Sequence, residues 1–202
     1  MDMNTITTQN NIPVVVGSMQ VGIYPYPEIP TGDIKILHLV LEADIVEIRD
    51  GNESLENKDA AVCYNKNFSI GMHTRDCAPI CFSDGEKIAI AHIGWQGYSL
   101  GLLEKTLSYF NPETVTIYVG PFLNSFEIKK DFCYDALVAK PGAEKFIHEE
   151  NGIITFRFKD AIANILSKET FFDTRDTFSD MTLPSNRRDK NSKGFLTVVS
   201  FT

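Results

Sequence analysis

Cys77 and His92 are the two residues whose types and spacing are best suited to chemistry. They flank an Asp84-Gly85 pair, and Asp-Gly is a strong signal for a two-residue hairpin turn. With that turn, Cys77 lies directly opposite His92 on one face of a sheet, with Cβ atoms roughly 4.5–5.5 Å apart. A thiol and an imidazole at that separation form a nucleophile–base pair, or supply two ligands of one zinc ion.

The same geometry separates two other candidates from this pair. His73 and Cys81 each lie four residues from Cys77, which is about 13 Å along a strand at roughly 3.3 Å per residue. We therefore expect neither a metal shared with His73 nor a disulfide with Cys81. Pro79 weakens the predicted pairing of the two hairpin strands, because proline in a sheet is found at edges and bulges. Spacing alone leaves open that Cys77 is a small buried residue and His92 a core histidine.

Residues beside the pair could complete a site. Asp76 could orient the imidazole or a substrate hydroxyl, or it could cap the end of a strand. The turn that follows the second hairpin strand leads into a helix, so its amides could hold an anion. The alternative is a plain strand-to-helix turn. This turn consists of Gly94, Trp95, Gln96 and Gly97.

The elements that must position these residues are mainly strands in the first half of the chain and helices in the second. Segments rich in β-branched and aromatic residues predict strands at 14–24, 34–40, 44–49, 60–64, 68–76, 78–82, 87–93, 115–119, 153–158 and 195–201. Apolar periodicity predicts helices at 98–110, 131–139, 143–149 and 159–168. This order favours a single α/β or α+β domain over residues 1–202 with a mixed sheet.

Composition excludes several classes of partner. A chain of 202 residues with 43% hydrophobic residues fits one globular domain. A net charge of −8 disfavours binding to nucleic acid or an anionic membrane, and no apolar run is long enough to span a bilayer. Residues 1–11 lack the features of a signal peptide, and the four cysteines lack CxxC spacing. We therefore expect a cytoplasmic protein with reduced thiols.

The residues around the pair resemble a known family. The segments GMHTRDCAP (71–79) and AHIGWQG (91–97) are similar to the T-A-D-C-x-P and A-H-A-G-W-R-G motifs of the YfiH-like family. That family is also described as multicopper polyphenol oxidase or laccase-domain proteins. Further similarities lie at 59–62, 120–123, 126–128 and 185–188.

The resemblance implies a four-layer α/β/β/α sandwich with mixed sheets, and a pocket where one cysteine and two histidines bind zinc. It also implies purine nucleoside phosphorylase activity on a purine nucleoside and phosphate, with adenosine deamination in some relatives. Copper is a poor fit as cofactor, because a laccase needs several copper sites and many histidines, whereas this chain has four histidines.

The chain departs from the family pattern at the first histidine. The family segment Q-V-H-G-A-D matches residues 39–44, which places Leu41 at the histidine position. Leucine cannot ligate a metal. His38 lies three residues earlier, on the opposite face of a strand unless the strand bends or shifts. We expect Cys77 and His92 as zinc ligands, with His38 joining them only after such a shift. Zinc affinity is then reduced, because two protein ligands make a weak site.

Other departures affect the expected phosphate and metal sites. Gln96 replaces the arginine of G-W-R-G and removes a permanent cation, and Asn186 replaces a tyrosine. Arg187 and Arg188 remain and could bind phosphate as bidentate donors, or they could belong to a solvated charged loop. Glu42 could supply an oxygen ligand if the backbone turned.

Three functional hypotheses follow. The first is a nucleoside phosphorylase, a pentosyltransferase, with Cys77, His92 and Asp76 at its centre. The second is a metal-free hydrolase, in which a low-pKa Cys77 attacks and His92 acts as base. The third is a catalytically lapsed nucleoside-binding module, suggested by Leu41 and Gln96. The sequence leaves the oligomeric state open.

Overall fold

The computed structural model describes residues 4–166 and 169–202. Its strands are β1 (Asn4–Ile6), β2 (Val14–Val16), β3 (Met19–Pro25), β4 (Ile34–Leu37), β5 (Ile45–Ile48), β6 (Ala60–Cys63), β7 (Ser69–Thr74), β8 (Ala78–Ser83), β9 (Ile88–Ile93), β10 (Thr116–Val119), β11 (Phe126–Ile128), β12 (Ile147–Glu150), β13 (Ile153–Phe156), β14 (Thr170–Asp173) and β15 (Phe195–Phe201). Its helices are α1 (Trp95–Ser99), α2 (Leu102–Leu107), α3 (Phe132–Ala139) and α4 (Phe158–Ala163), with a 3₁₀ helix at Ala143–Phe146.

A seven-stranded mixed sheet lies at the centre of the protein, with strand order β1-β14-β10-β8-β9-β6-β5. Every residue of β8 and β9 is buried, because both faces of this sheet are covered. Alternate residues of β9, such as Ala89 and Ala91, face the helices, and Ile88 and Ile90 face a second sheet. The hairpin that carries the site therefore lies in the middle of the core.

The second sheet has five strands in the order β2-β3-β15-β7-β4. Its inner face packs Met72, Val199 and other apolar residues against the central sheet. Its outer face carries a small cluster of Tyr24, Leu196 and Val198. A side chain at Gly22 would meet the Tyr24 ring at 2.5 Å, so this glycine leaves room for the tyrosine to lie over the strand.

The predicted mixed α/β fold with mixed sheets is confirmed. The layers are helices, the seven-stranded sheet and the five-stranded sheet, with a small sheet of order β11-β13-β12 beside the helices. Each helix in the described ranges buries apolar residues in the core on the helical side of the central sheet, although Phe132 and Val138 of α3 are exposed. The second helical layer of the expected four-layer sandwich is not among the described elements. None of these helices is long and apolar enough to span a membrane.

Several predicted elements differ from those observed. The helix predicted at 98–110 begins at Trp95 and divides into α1 and α2 at Gly101, whose φ of 74° is left-handed. The helix predicted at 143–149 is wrong, because only a 3₁₀ turn forms there and β12 follows it. Besides β12, three short strands, β1, β11 and β14, were not predicted. α4 ends at Ala163, and residues 167–168 of the helix predicted there lie outside the described residues.

Candidate functional site

The β8–β9 hairpin brings Cys77 and His92 to one end of the central sheet, but not in the predicted register. Pro79 pairs with His92, which is two residues away from the predicted pairing of Cys77 with His92. Cys77 precedes the first residue of β8 and comes level with Gly94 beyond β9. Because side chains alternate with a period of two, a shift of two residues leaves both side chains on the same face.

The polar residues of the turn explain the shift. Ser83 pairs with Ile88, so the connection has four residues, 84–87, instead of two. The Asp84 carboxylate accepts hydrogen bonds from the Glu86 and Lys87 amides at 3.0 Å each. These bonds hold a wider loop in which Gly85 adopts a left-handed φ of 86°.

Gly94 is the point where the two side chains meet. A Cβ built on Gly94 would lie 2.8 Å from Cys77 Sγ and 3.9 Å from His92 Cε1. Only a residue without a side chain leaves the sulfur in this position. Gly94 thus has a packing role, and anion binding by the amides of this turn stays a prediction; α1 has only five residues.

The other predicted residues of this turn lie in α1. Gly97 is buried, and a Cβ there would approach the His92 carbonyl oxygen to 3.0 Å, so it lets α1 pack closely on β9. Gln96 is half-buried, and its carbonyl accepts the Leu100 amide at 2.9 Å. Gly97 therefore allows the close packing of α1 on the strand that carries His92, and the Gln96 bond is an ordinary bond within the helix.

Burial keeps both members of the pair neutral. It raises the pKa of the Cys77 thiol to about 12, with a further contribution from the Asp76 carboxylate and partial opposition from Arg75. Burial also lowers the pKa of His92 to about 4, which Asp59 partly opposes. Part of Cys77 is accessible to solvent, but its sulfur packs against Gly94. No hydrogen bond joins the thiol and the imidazole in the described structure, and a neutral pair does not form a thiolate nucleophile.

A buried carboxylate organises the segment beside this pair. Asp59 is 1% exposed, and its two oxygens accept four consecutive main-chain amides. Oδ1 accepts Val40 at 3.1 Å and Leu41 at 2.7 Å, and Oδ2 accepts Glu42 at 2.8 Å and Ala43 at 2.9 Å. Leu41 and Ala43 have left-handed φ values of 69° and 65°, which are unfavourable for residues with a Cβ. We call this arrangement the Asp59 clamp.

The Asp59 clamp also contacts the end of β9 that carries His92. The His92 amide donates to the Asp59 carbonyl at 2.8 Å, where β6 begins next to β9. One residue therefore connects the segment that carries Leu41 with the strand that carries His92. The sequence resemblance included Asp59 without a role for it, because its partners lie 16 to 19 residues away and meet it only in the folded chain.

Asp76 ties loops together next to Cys77. Its Oδ1 accepts the Thr177 hydroxyl at 2.9 Å and its Oδ2 accepts the Arg187 amide at 2.9 Å. Its carbonyl also accepts the Leu123 amide at 2.9 Å. The hydrogen bonds of Asp76 thus anchor the segments around 123, 177 and 187, and none of them reaches His92.

The two predicted phosphate-binding arginines have different environments. The Arg187 guanidinium is exposed, lies 5.2 Å from the centroid of the Phe126 ring and donates to the Glu127 carbonyl at 3.3 Å. Asp76 accepts the Arg187 amide and so holds the main chain of Arg187 beside Cys77. The exposed guanidinium carries a positive charge that is accessible to a ligand.

The guanidinium of Arg188 is hydrogen-bonded to main-chain carbonyls. Its guanidinium donates to the carbonyls of Thr177 at 2.8 Å, Phe178 at 2.7 Å and Asp180 at 3.4 Å, and to that of Leu183. These contacts close the 177–183 loop. Arg188 therefore has a structural role in this loop, and its phosphate contact stays a prediction.

The residues present do not fit the zinc ion implied by the family resemblance. His38 is exposed at the end of β4, with Nε2 3.8 Å from Glu56 Oε1, and faces away from the inner face that carries Leu37. The shift or bend of the strand that His38 would need in order to join the pair does not occur. Within ranges 4–166 and 169–202, no three His, Cys, Asp or Glu side chains are grouped to hold a metal ion. A neutral thiol and one imidazole make an incomplete zinc site.

A separate open cleft of about 440 Å³ lies between Tyr26 and the segment 181–194. Ser185 and Arg188 line it, but Cys77 and His92 do not. We assign the candidate site from the Cys77–His92 geometry, since the cleft contains neither of the groups with reactive chemistry.

The fold and this pair define a mixed α/β protein with one cysteine and one histidine at the end of two packed sheets. The same fold occurs in crystal structures of a Neisseria meningitidis DUF152 protein and of the Bacillus licheniformis hypothetical protein YfiH. The TM-score is 0.74 for both, with 21% and 19% identity, 84% of this chain covered in each and 75% and 74% of those chains. Residues 13–200 match the family model described as multi-copper polyphenol oxidoreductase laccase. The chain therefore belongs to this family.

Curated relatives in this family carry an enzymatic name. The chain is 28% identical over 160 residues to the purine nucleoside phosphorylase YfiH of Escherichia coli, covering 74% of this chain and 66% of that protein. It is 30% identical over 164 residues to a purine nucleoside phosphorylase of Aquifex aeolicus, covering 77% of this chain and 76% of that protein.

Proposed function

We propose that this chain is a purine nucleoside phosphorylase that acts at the Cys77–His92 end of the central sheet. The meeting of these two side chains at Gly94, in a chain of this family, carries the proposal. Phosphate oxygen forms a bond to the anomeric carbon of ribose while the bond to the purine nitrogen breaks. The products are ribose 1-phosphate and the free base, which takes up a proton at that nitrogen.

The residues of the site have distinct roles in this proposal. A neutral His92 imidazole can donate one hydrogen bond and accept another, which suits a hydrogen bond to the leaving base. The proton that the base takes up comes from monobasic phosphate or water. The exposed guanidinium of Arg187 is suited to phosphate, because its planar donors match two phosphate oxygens. Asp76 positions Arg187 through the main chain and does not itself need to contact the substrate. The neutral Cys77 thiol would line the pocket.

Zinc has no assigned step in this reaction, because the residues present do not form a three-ligand site. We propose that zinc binds weakly, through Cys77 and His92 alone. Copper is excluded from the proposal by the same shortage of ligands. Adenosine deamination and a cytoplasmic location stay predictions.

The test is phosphorolysis by the purified chain. Adenosine or inosine is incubated with phosphate, and base and ribose 1-phosphate are separated by chromatography. We expect product from the wild-type chain, its loss in His92→Ala, and slower turnover in Cys77→Ala, which removes a side chain that lines the pocket. Cys63→Ala is the matched control, because Cys63 is a buried thiol on β6, and it should retain activity. No product from the wild type, where the Aquifex relative turns over, would refute the proposal.

A nucleoside-binding module without turnover is the second candidate. Leu41 favours it, because this residue occupies the family's ligand position and the Asp59 clamp holds it in place. This candidate predicts nucleoside binding by calorimetry with no product.

The metal-free hydrolase is not favoured. A thiol whose pKa is about 12 carries little thiolate at neutral pH. We expect native Cys77 to resist iodoacetamide at neutral pH and to be alkylated after unfolding in urea. Rapid labelling of Cys77 in the native protein would instead support the metal-free hydrolase hypothesis.

A further inference from the structure

A path of contacts leads from Cys77 to an exposed aromatic side chain. Cys77 packs on Gly94, which precedes Trp95, the first residue of α1. The Trp95 ring lies 5.5 Å from the ring of Phe132 at an interplanar angle of 60°. Phe132 is 73% exposed, although its partner Trp95 is partly buried against the core. An exposed ring of this size is held next to the candidate site.

A cation is held by the residue before Cys77. The Arg187 amide donates a hydrogen bond to the Asp76 carboxylate at 2.9 Å, and Asp76 precedes Cys77. The exposed Arg187 guanidinium lies over the Phe126 ring. Trp95, Phe132 and Arg187 are thus each linked to Cys77 by a short series of contacts, and we call these three residues the mouth ring.

The mouth ring has two chemically different sides. Trp95 and Phe132 supply aromatic surface, and Arg187 supplies a positive charge that also lies over the Phe126 ring. A nucleoside and phosphate have the complementary properties, because the base has two flat π faces and phosphate is an anion. An exposed phenylalanine has no favourable contact with water, whereas a stacked base would cover it.

We propose that Phe132 is the residue on which the purine base stacks, with Trp95 supporting it, while Arg187 faces the phosphate side of the substrate. This inference rests on the proposed function and specifies its substrate contacts. The base then lies over α3, and the ribose points toward the Cys77–His92 pair. Phe132 binds the substrate and takes no part in bond breaking.

The single tryptophan of the chain provides a direct readout. Trp95 touches Phe132, so a base stacked there should quench the fluorescence of Trp95. We would titrate wild-type protein, Phe132→Ala and Phe132→Tyr with inosine and adenosine, and measure phosphorolysis separately. Phe178→Ala is the matched control, because Phe178 is also exposed, at 51%, and is not part of the mouth ring.

We expect Phe132→Ala to raise the dissociation constant and KM roughly tenfold, the usual loss when an aromatic stacking partner is removed. kcat should change little, Phe132→Tyr should restore affinity, and Phe178→Ala should behave as wild type. Equal affinity and KM in wild type and Phe132→Ala would overturn the inference and leave the phosphorylase proposal intact. Quenching that Phe132→Ala abolishes, without turnover, would support the inference and refute the phosphorylase.

Sedimentation distinguishes a different occupant of the same surface. If Phe132 contacts a second copy of the chain, Phe132→Ala lowers the apparent mass at high concentration and leaves nucleoside affinity unchanged. That result would overturn the inference. The absence of both nucleoside binding and turnover in the wild type would overturn the inference and the proposed function together.

Discussion

Replacing Asp59 with asparagine is the sharpest test of how the site is built. The substitution keeps the size of the side chain and exchanges one carboxylate oxygen for an NH₂ group. Each oxygen of Asp59 accepts two of the four amides from Val40 to Ala43. Asparagine can accept two of them, and its NH₂ group then faces the other two N–H donors.

The expected loss of stability follows from this count. A hydrogen bond to a charged group contributes about 1.5–3 kcal/mol, so losing two of them costs at least about 3 kcal/mol. The two that remain weaken, because the charge that strengthened them is gone. For a chain of this size, about 3 kcal/mol corresponds to a fall in Tm of roughly 6–12 °C. The left-handed residues Leu41 and Ala43 would then relax toward unstrained conformations.

Urea unfolding and a thermal scan measure the loss, and hydrogen exchange locates it. We expect the amides of residues 40–43 to lose protection in Asp59→Asn. Asp44→Asn is the matched control, because the Asp44 carboxylate is exposed and, among the residues that the structure describes, forms only a 3.5 Å ion pair with Lys58. That variant should stay within about 1 kcal/mol of wild type. Equal stability of the two variants would refute the reasoning that the clamp holds this segment.

Two further predictions concern the titration of His92 and the position of Leu41. Since burial lowers the pKa of His92 from 6.5 to about 4, the unfolded chain takes up a proton first, and the free energy of unfolding should fall by about 3 kcal/mol as pH drops from 6.5 to 4. Urea titrations at several pH values should show that His92→Gln removes this dependence and that His38→Gln, at an exposed site, keeps it. Leu41→His adds an imidazole at a left-handed position that histidine tolerates better than leucine. Calorimetry should show tighter zinc binding in this variant, because three protein ligands make a stronger site than two, and unchanged affinity would show that residue 41 does not face the pair.

The strands of the core were predictable because their apolar runs are long. β6, β8, β9 and β15 lie within one or two residues of the predicted segments, since most of their residues are buried and apolar. The helix prediction at 143–149 was wrong because the apolar residues of this segment are also spaced as in a short helix. The Asn151-Gly152 pair that follows it is a hairpin signal, and both residues have positive φ, at 52° and 79°.

The sequence predicted which two residues meet at the site, but not the strand register or the hydrogen bonds that hold them. Cys77 and His92 meet because strand periodicity places them on one face, and this survives a register error of two residues. The register depended on the side-chain bonds of Asp84, which spacing does not reveal. The roles of Asp59 and Arg188 depend on partners brought together by folding, so no local pattern predicts them.

The contact between Gly94 and Cys77 constrains how the two positions can change together. A methyl group at 94 would meet the sulfur at 2.8 Å but the Cβ of residue 77 at 3.7 Å, an ordinary contact distance. Alanine at 94 is therefore excluded by the thiol and not by the backbone. Once residue 77 loses its sulfur, position 94 becomes free to acquire a side chain, and that side chain would then block the return of cysteine. Loss of the thiol can thus become irreversible through a single neighbouring substitution.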